Sequence, residues 1–198
     1  MGGLDLMRIT LDTNVLDPPC LQQMLEAAAG LSAEFAMVTV SKREIEGTRI
    51  QPLPTTVLET GVWGESRSGE FLWGVPVAEP LVLGESRLGE GALSGPESAN
   101  RFEAILRIVS NGAFPKPGVR DTLKPGERRQ MRDAMILEAH ARESRDILVT
   151  NEIRAYGRTG DQRRRRLETL CATHIMNVDE FCEHCRKRRI KNVFEGQL

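Results

Sequence analysis

Carboxylates stand at places in this chain where hard-metal chemistry would want them. Asp12 closes the apolar run that starts at Arg8, and Glu44 lies just past the run Phe35 to Val40. Glu152 lies just past the run Asp146 to Thr150, and Asp133 near the start of the helical stretch that feeds it. In an open parallel sheet, ligands gather beyond the carboxyl ends of the strands. Carboxylates crowded at one such edge repel one another unless a cation neutralises them, and oxygen donors of this kind suit Mg²⁺ or Mn²⁺. A site so built lowers the pKa of a bound water and stabilises the attacking and leaving oxygens at phosphorus. Any one acid alone says little, because the chain has 28 and most acids serve surface solvation.

The elements that must position them can be read from periodicity. Arg8 to Asp12, Phe35 to Val40, Asp146 to Thr150 and His174 to Val178 read as short strands. Pro18-Pro19 opens a helix that stops at Gly30, and Ser41 is placed to cap a short helix from Lys42 to Glu46. Ser94-Gly-Pro-Glu97 has the form of a capping box before a helix through Phe102, Ile105, Leu106 and Val109. Pro115, Pro117 and Pro125-Gly126 mark a loop, and a long helix is expected over about Glu127 to Ser144, followed later by a basic helix from Arg163 to Cys171. Strands alternating with helices argue for an α/β fold with a parallel sheet covered on both faces.

From Ile50 to Gly95 the texture changes, with frequent Gly and Pro and no helical period. Val62-Trp-Gly-Glu-Ser-Arg-Ser-Gly-Glu70 returns twenty residues later as Val82-Leu-Gly-Glu-Ser-Arg-Leu-Gly-Glu90, with seven of nine positions identical. Two copies are too few for a solenoid, so the segment reads as a β-rich insertion with antiparallel arms, extending the sheet or making a homo-oligomer contact.

Four local patterns occur in order and resemble those of the PIN-domain nuclease family. They are Leu11-Asp-Thr-Asn-Val-Leu16, Ser41-Lys-Arg-Glu44, Arg132-Asp-Ala-Met-Ile-Leu-Glu-Ala-His-Ala141 and Asp146-Ile-Leu-Val-Thr-Asn-Glu152, with Val178-Asp-Glu-Phe181 closing the series. The resemblance covers roughly residues 6–48 and 120–182. It implies a single PIN-like three-layer sandwich over 1–198, with a central, mainly parallel sheet and the 50–95 segment inserted. It further implies that Asp12, Glu44, Asp133 and Glu152 are catalytic ligands of Mg²⁺ or Mn²⁺. Asn14 would orient the Asp12 loop, Thr150 would bond a ligand water or phosphate, and Asn151 would support them. The implied activity is metal-dependent endoribonuclease cleavage of single-stranded RNA; the family includes toxins of toxin–antitoxin pairs, whose partners are antitoxin proteins. The alternative is a PIN-like module that binds nucleic acid or a protein without cutting. Two departures stand out: Glu152 replaces the commoner, shorter Asp, so its arm can turn away, and the insertion is foreign to compact members. Glu46 competes with Glu44 but fits the offset from Ser41 less well.

Composition is compatible with such an enzyme. The chain has 198 residues, 40% of them hydrophobic, and no apolar run near the roughly 20 residues that cross a bilayer. Met1 to Met7 lacks the features of a secretory signal, and four cysteines are too few for a disulfide framework, so a reduced, cytoplasmic setting is expected. Net charge is −1, yet residues 120–198 carry 18 Lys/Arg against 13 Asp/Glu, while residues 1–119 carry 9 against 15. Arg163, Arg164, Arg165 and Arg166 are candidate phosphate contacts, against the plainer reading of a solvated helix, and Arg186 to Lys191 reads the same way or as a frayed tail. Cys171, His174, Cys182 and Cys185 have the pairwise spacing of a zinc site, but only seven residues separate the pairs. Trp63 and Trp73 read as base-stacking or core aromatics, and His140 as a helix residue near the sheet. Leu11-Asp-Thr-Asn also faintly matches the nucleophile loop of haloacid-dehalogenase phosphatases, which needs a second Asp where Asn14 stands.

Overall fold

The computed structural model describes residues 6–38, 40–41, 95–116, 120 and 123–195. Glu44, Glu46, the 50–95 insertion with its repeat, Trp63 and Trp73 lie outside the described residues. The chain is α/β. Strands β1 (Met7–Leu11), β2 (Ala33–Met37), β3 (Ile147–Val149) and β4 (His174–Met176) form one all-parallel sheet in the order β2-β1-β3-β4. Six helices accompany it among the described residues: α1 (Pro18–Ala28), α2 (Pro96–Val109), α3 (Pro125–Arg142), α4 (Ile153–Tyr156), α5 (Gln162–Cys171) and α6 (Val178–Glu195). None of the described helices is long and apolar enough to cross a membrane.

Side chains alternate across a strand, and here the alternation sorts the core into two halves. Met7, Ile9, Leu11, Phe35, Met37, Ile147 and Val149 pack on one face with Leu21, Met24 and Leu25 of α1 and Phe181 of α6. Ala36, Leu148 and Ile175 face the other way, against α2, α3 and α5 through Phe102, Ile105, Met131, Met135 and Leu167. Helices thus cover both faces, as an all-parallel sheet requires. Phe35 and Phe181 meet edge to face, with centroids 6.1 Å apart. Burying a side chain of that size contributes about 1.5–3 kcal/mol.

Local chemistry fixes the helix ends. Asp17 caps α1 by accepting the Cys20 N–H at 3.3 Å, with Pro18 and Pro19 in the first turn, where a missing N–H costs nothing. Helix α2 starts one residue later than a Ser94 capping box would have it, because Gly95 is its N-cap and Pro96 its first residue. Pro125-Gly126 belongs to the first turn of α3 rather than to a loop. The Glu127 carboxylate there accepts the Lys124 N–H at 2.7 Å. Asp133 is consequently the ninth of the 18 residues of α3, in mid-helix and not near its start. Ser41 is itself helical, together with Val40, and its buried hydroxyl bonds nothing among the described residues, so it is no cap there. The basic segment Arg186 to Lys191 is no frayed tail. It continues α6, where Arg189 donates to the Ala27 carbonyl at 2.6 Å and meets the carbonyl end of α1.

Because all four strands point the same way, their carboxyl ends share one edge, and Asp12, Val40-Ser41, Thr150 and Asn177 stand just beyond it.

Candidate active site

Asp12 is built into the end of β1. Its N–H still donates to the Val149 carbonyl at 3.0 Å, after which the chain turns through the 3₁₀ segment Thr13–Val15. Asp12 Oδ1 accepts the Thr13 N–H at 2.7 Å. Oδ2 accepts the Thr150 hydroxyl at 2.6 Å and the Asn14 amide at 2.9 Å. Asn14 Oδ1 accepts the Asn151 N–H at 2.9 Å, which fixes which end of its amide faces Asp12. Thr150 Oγ1 also accepts the Glu152 N–H at 3.0 Å. The loops after β1 and β3 are thereby stitched together around one carboxylate that is only 4% exposed. Thr150, expected to bond a ligand, gives its hydroxyl hydrogen to Asp12.

Asp133 is 9% exposed. Its main-chain carbonyl accepts the hydroxyl of Tyr156, the one tyrosine in the chain, at 2.8 Å, and this bond holds α4 against α3. The Tyr156 phenol is held well above its ordinary pKa, first by complete burial and then by the carboxylates of Asp133, Asp12 and Glu152. Three of the four expected acids therefore lie within electrostatic range of one buried hydroxyl. Glu152 is half-buried, and its Oε1 accepts the Arg154 N–H at 2.9 Å, so its longer arm is turned to cap α4. Among the described residues, no three His, Cys, Asp or Glu side chains are grouped closely enough to hold a metal ion. Glu44, the fourth expected ligand, lies outside them.

The donor set nevertheless suits a hard cation. Its oxygen groups are carboxylates and hydroxyls, with no thiol or imidazole among them. Ser41, fully buried just past β2, adds a hydroxyl with no hydrogen-bond partner among the described residues, and a buried polar atom left unpaired is uncommon enough to call for an explanation.

Beside these acids opens a cleft of about 370 Å³, whose lining includes Thr150, Glu152, Ile153, Tyr156, Arg158 and Asn177. Gly157, also in its wall, has φ +86°, and a Cβ there would stand 3.0 Å from Asp161 Cγ. Both the left-handed backbone and the close approach exclude a larger residue.

The arginine quartet divides. Arg164 is buried and donates to Glu180 Oε2 at 2.8 Å, so it is an internal ion pair and not a phosphate contact. Arg163 bonds Asn111 Oδ1 at 2.7 Å, while Arg165 and Arg166 are exposed. The cysteines divide as well. Cys171 packs in the core on one face of the sheet, Cys182 and Cys185 in the core on the other, and His174 is exposed on β4. The sheet lies between Cys171 and the pair Cys182 and Cys185, so the four do not form a zinc site. Burial pushes the thiols of Cys171 and Cys185 up to about 12, which marks them as inert core groups. His140 is fully buried between the hydroxyls of Thr10, 2.9 Å from Nδ1, and Thr173, 2.5 Å from Nε2.

Sequence reasoning missed Tyr156, Ile153, Arg158 and Asn177. Their only signal was position, just beyond the carboxyl ends of β3 and β4. No protein-family model matches the chain, and no characterised protein matches its sequence significantly.

Proposed function

We propose that the chain is a divalent-metal-dependent endoribonuclease of the PIN type that hydrolyses phosphodiester bonds of single-stranded RNA. The observation that carries this is the buried Asp12 carboxylate at the carboxyl edge of the sheet, clamped by Thr150 and Asn14, with Asp133 and Glu152 sharing its electrostatic surroundings. Asp12 and Asp133, joined by Glu44 and by a rotated Glu152, are the residues that would hold Mg²⁺ or Mn²⁺. The bound cation would supply an acidified water and stabilise charge at phosphorus. The Thr150 hydroxyl and the Asn14 amide fix the orientation of the Asp12 oxygens, and the neutral Tyr156 phenol keeps α4 seated without adding charge. RNA as substrate, a toxin role with an antitoxin partner, and self-association through residues 50–95 rest on the PIN resemblance and the insertion.

One observation favours a second reading, a module that binds RNA without cutting. The Glu152 carboxylate is engaged with the Arg154 N–H rather than with the other acids.

The test is cleavage of labelled single-stranded RNA in Mg²⁺ or Mn²⁺ by the wild type and Asp12→Asn. Loss of even an indirect metal contact costs about 10–100-fold, so removing a ligand charge should cost more than about 100-fold with the melting temperature retained. Cleavage that persists in Asp12→Asn or in excess EDTA overturns the metal-nuclease reading. Metal-dependent RNA binding without cleavage by the wild type selects the second one.

A further inference from the structure

The cleft beside the acids has a composition of its own. Thr150, Glu152 and Tyr156 belong both to it and to the acid cluster, so whatever occupies the cleft lies directly next to the reacting centre. Its volume of about 370 Å³ is at the small end of ligand pockets, room for one compact unit and not for several.

Three side chains give the cleft its chemistry. Ile153 is 52% exposed, one of four exposed large hydrophobics among the described residues. The two arginines of the lining differ. Arg164 is buried in its ion pair with Glu180, whereas Arg158 has a guanidinium that makes no hydrogen bond or ion pair among the described residues. Asn177 Oδ1 accepts the Glu180 N–H at 2.8 Å, which fixes the amide orientation and leaves its NH₂ as a donor.

We propose that this cleft is the subsite for the nucleotide flanking the scissile phosphate of single-stranded RNA, with Arg158 binding its phosphate and Ile153 carrying the face of its base. Arg158, Ile153 and Asn177 thus offer a cation, an apolar surface and an amide donor within one nucleotide-sized space. Phosphate contacts set register, while base faces and edges add affinity and preference. The assignment rests on the nuclease reading for the position of the scissile bond, and its binding component stands independently of cleavage.

The experiment measures fluorescence anisotropy of a labelled single-stranded RNA with full-length protein in EDTA, over a series of salt concentrations. Melting temperatures are recorded in parallel. Arg158→Ala should weaken binding about tenfold and lower the log K against log salt slope by about 0.7, the increment for one phosphate contact on a single strand. Arg158→Lys should restore the slope. Ile153→Ser should weaken binding about fivefold without changing the slope, as loss of a base-packing surface does. Asn177→Asp, which keeps the acceptor for Glu180, should weaken binding by replacing a donor with a negative charge. Unchanged affinity and slope in Arg158→Ala, or no RNA binding by the wild type, overturns the subsite. A wild type that binds through Arg158 yet cuts nothing in any metal overturns the nuclease reading and leaves the subsite standing. A wild type that cuts while Arg158→Ala keeps its affinity and slope does the reverse.

Discussion

Glu138 and Asp12 are both buried carboxylates, and they are held in opposite ways. Glu138, on α3, meets the guanidinium groups of Arg101 at 3.1 Å and Arg142 at 3.2 Å and the hydroxyl of Ser98. Asp12 is bonded by a threonine hydroxyl, an asparagine amide and a backbone N–H. Two arginines cancel a carboxylate's charge and consume its lone pairs. The hydroxyl, amide and backbone N–H that bond Asp12 are neutral donors, and they fix the orientation of its oxygens. The first arrangement makes a structural tie across α2 and α3, and the second ties the loops after β1 and β3 together at the sheet edge. A third buried polar group sharpens the contrast. His140, also on α3, is flanked by two threonine hydroxyls and is held neutral, its pKa lowered to about 3 first by burial and then by Arg145.

The contrast can be broken at several points. Glu138→Ala should cost the most in folding free energy, about 3–5 kcal/mol, because it removes the buried acceptor shared by Arg101, Arg142 and Ser98 and leaves a cavity. Chemical denaturation measures this, and a loss under about 1 kcal/mol would mean the knot is not structural. The fraction that remains folded should keep its metal dependence.

Acid should come next. The folded state excludes the proton from His140, whereas the unfolded chain takes it up below about pH 6.5. Stability from this group is therefore complete above that pH and declines as pH falls from 6.5 toward 3. The decline is about 1.4 kcal/mol per unit and reaches roughly 4 kcal/mol by pH 3. Denaturation midpoints between pH 6.5 and 4.5 should fall more steeply for the wild type than for His140→Gln, and parallel slopes would remove His140 as the cause.

Thr150→Val should separate orientation from charge. It deletes the 2.6 Å bond to Asp12 while the shape of the side chain is kept, so a loss of about 10–100-fold in cleavage or metal affinity is expected. The cost in stability should be only about 1 kcal/mol, which thermal melts will show. The smallest effect should come from Glu152→Gln, since a glutamine oxygen can still accept the Arg154 N–H. If this variant instead loses cleavage as fully as Asp12→Asn, Glu152 leaves its cap and joins the other acids in catalysis.

Much of the fold was legible because burial writes a period into short strands. The ends of β1 and β3, and with them Asp12, Thr150 and Glu152, could be placed from apolar runs meeting polar residues. The strand order was not legible, because nothing local tells β1 that its neighbours are β2 and β3. The start of α3 was misread because proline stood among loop-forming residues: Pro125 sits in its first turn, and the shift carries Asp133 into mid-helix. The burial of Arg164 escaped notice because a run of four arginines looks uniform in sequence. Only the fold decides which of them turns inward to Glu180. Tyr156 was missed because its part in the site is a bond to a main-chain carbonyl, which leaves no mark on side-chain spacing.

The stitch between Asp12 and Thr150 joins residues 138 positions apart. Ribosomes add about 5–20 residues per second, so the first half of the site waits on the order of ten seconds for the second to be made. Through that interval Asp12 lacks the hydroxyl that aims it, and β1 lacks the strand that covers its free edge. On the proposed nuclease reading, the blade is thus unfinished while the chain is still attached to the messenger that encodes it. Its edge is whetted only once Thr150 has been translated and β3 has docked.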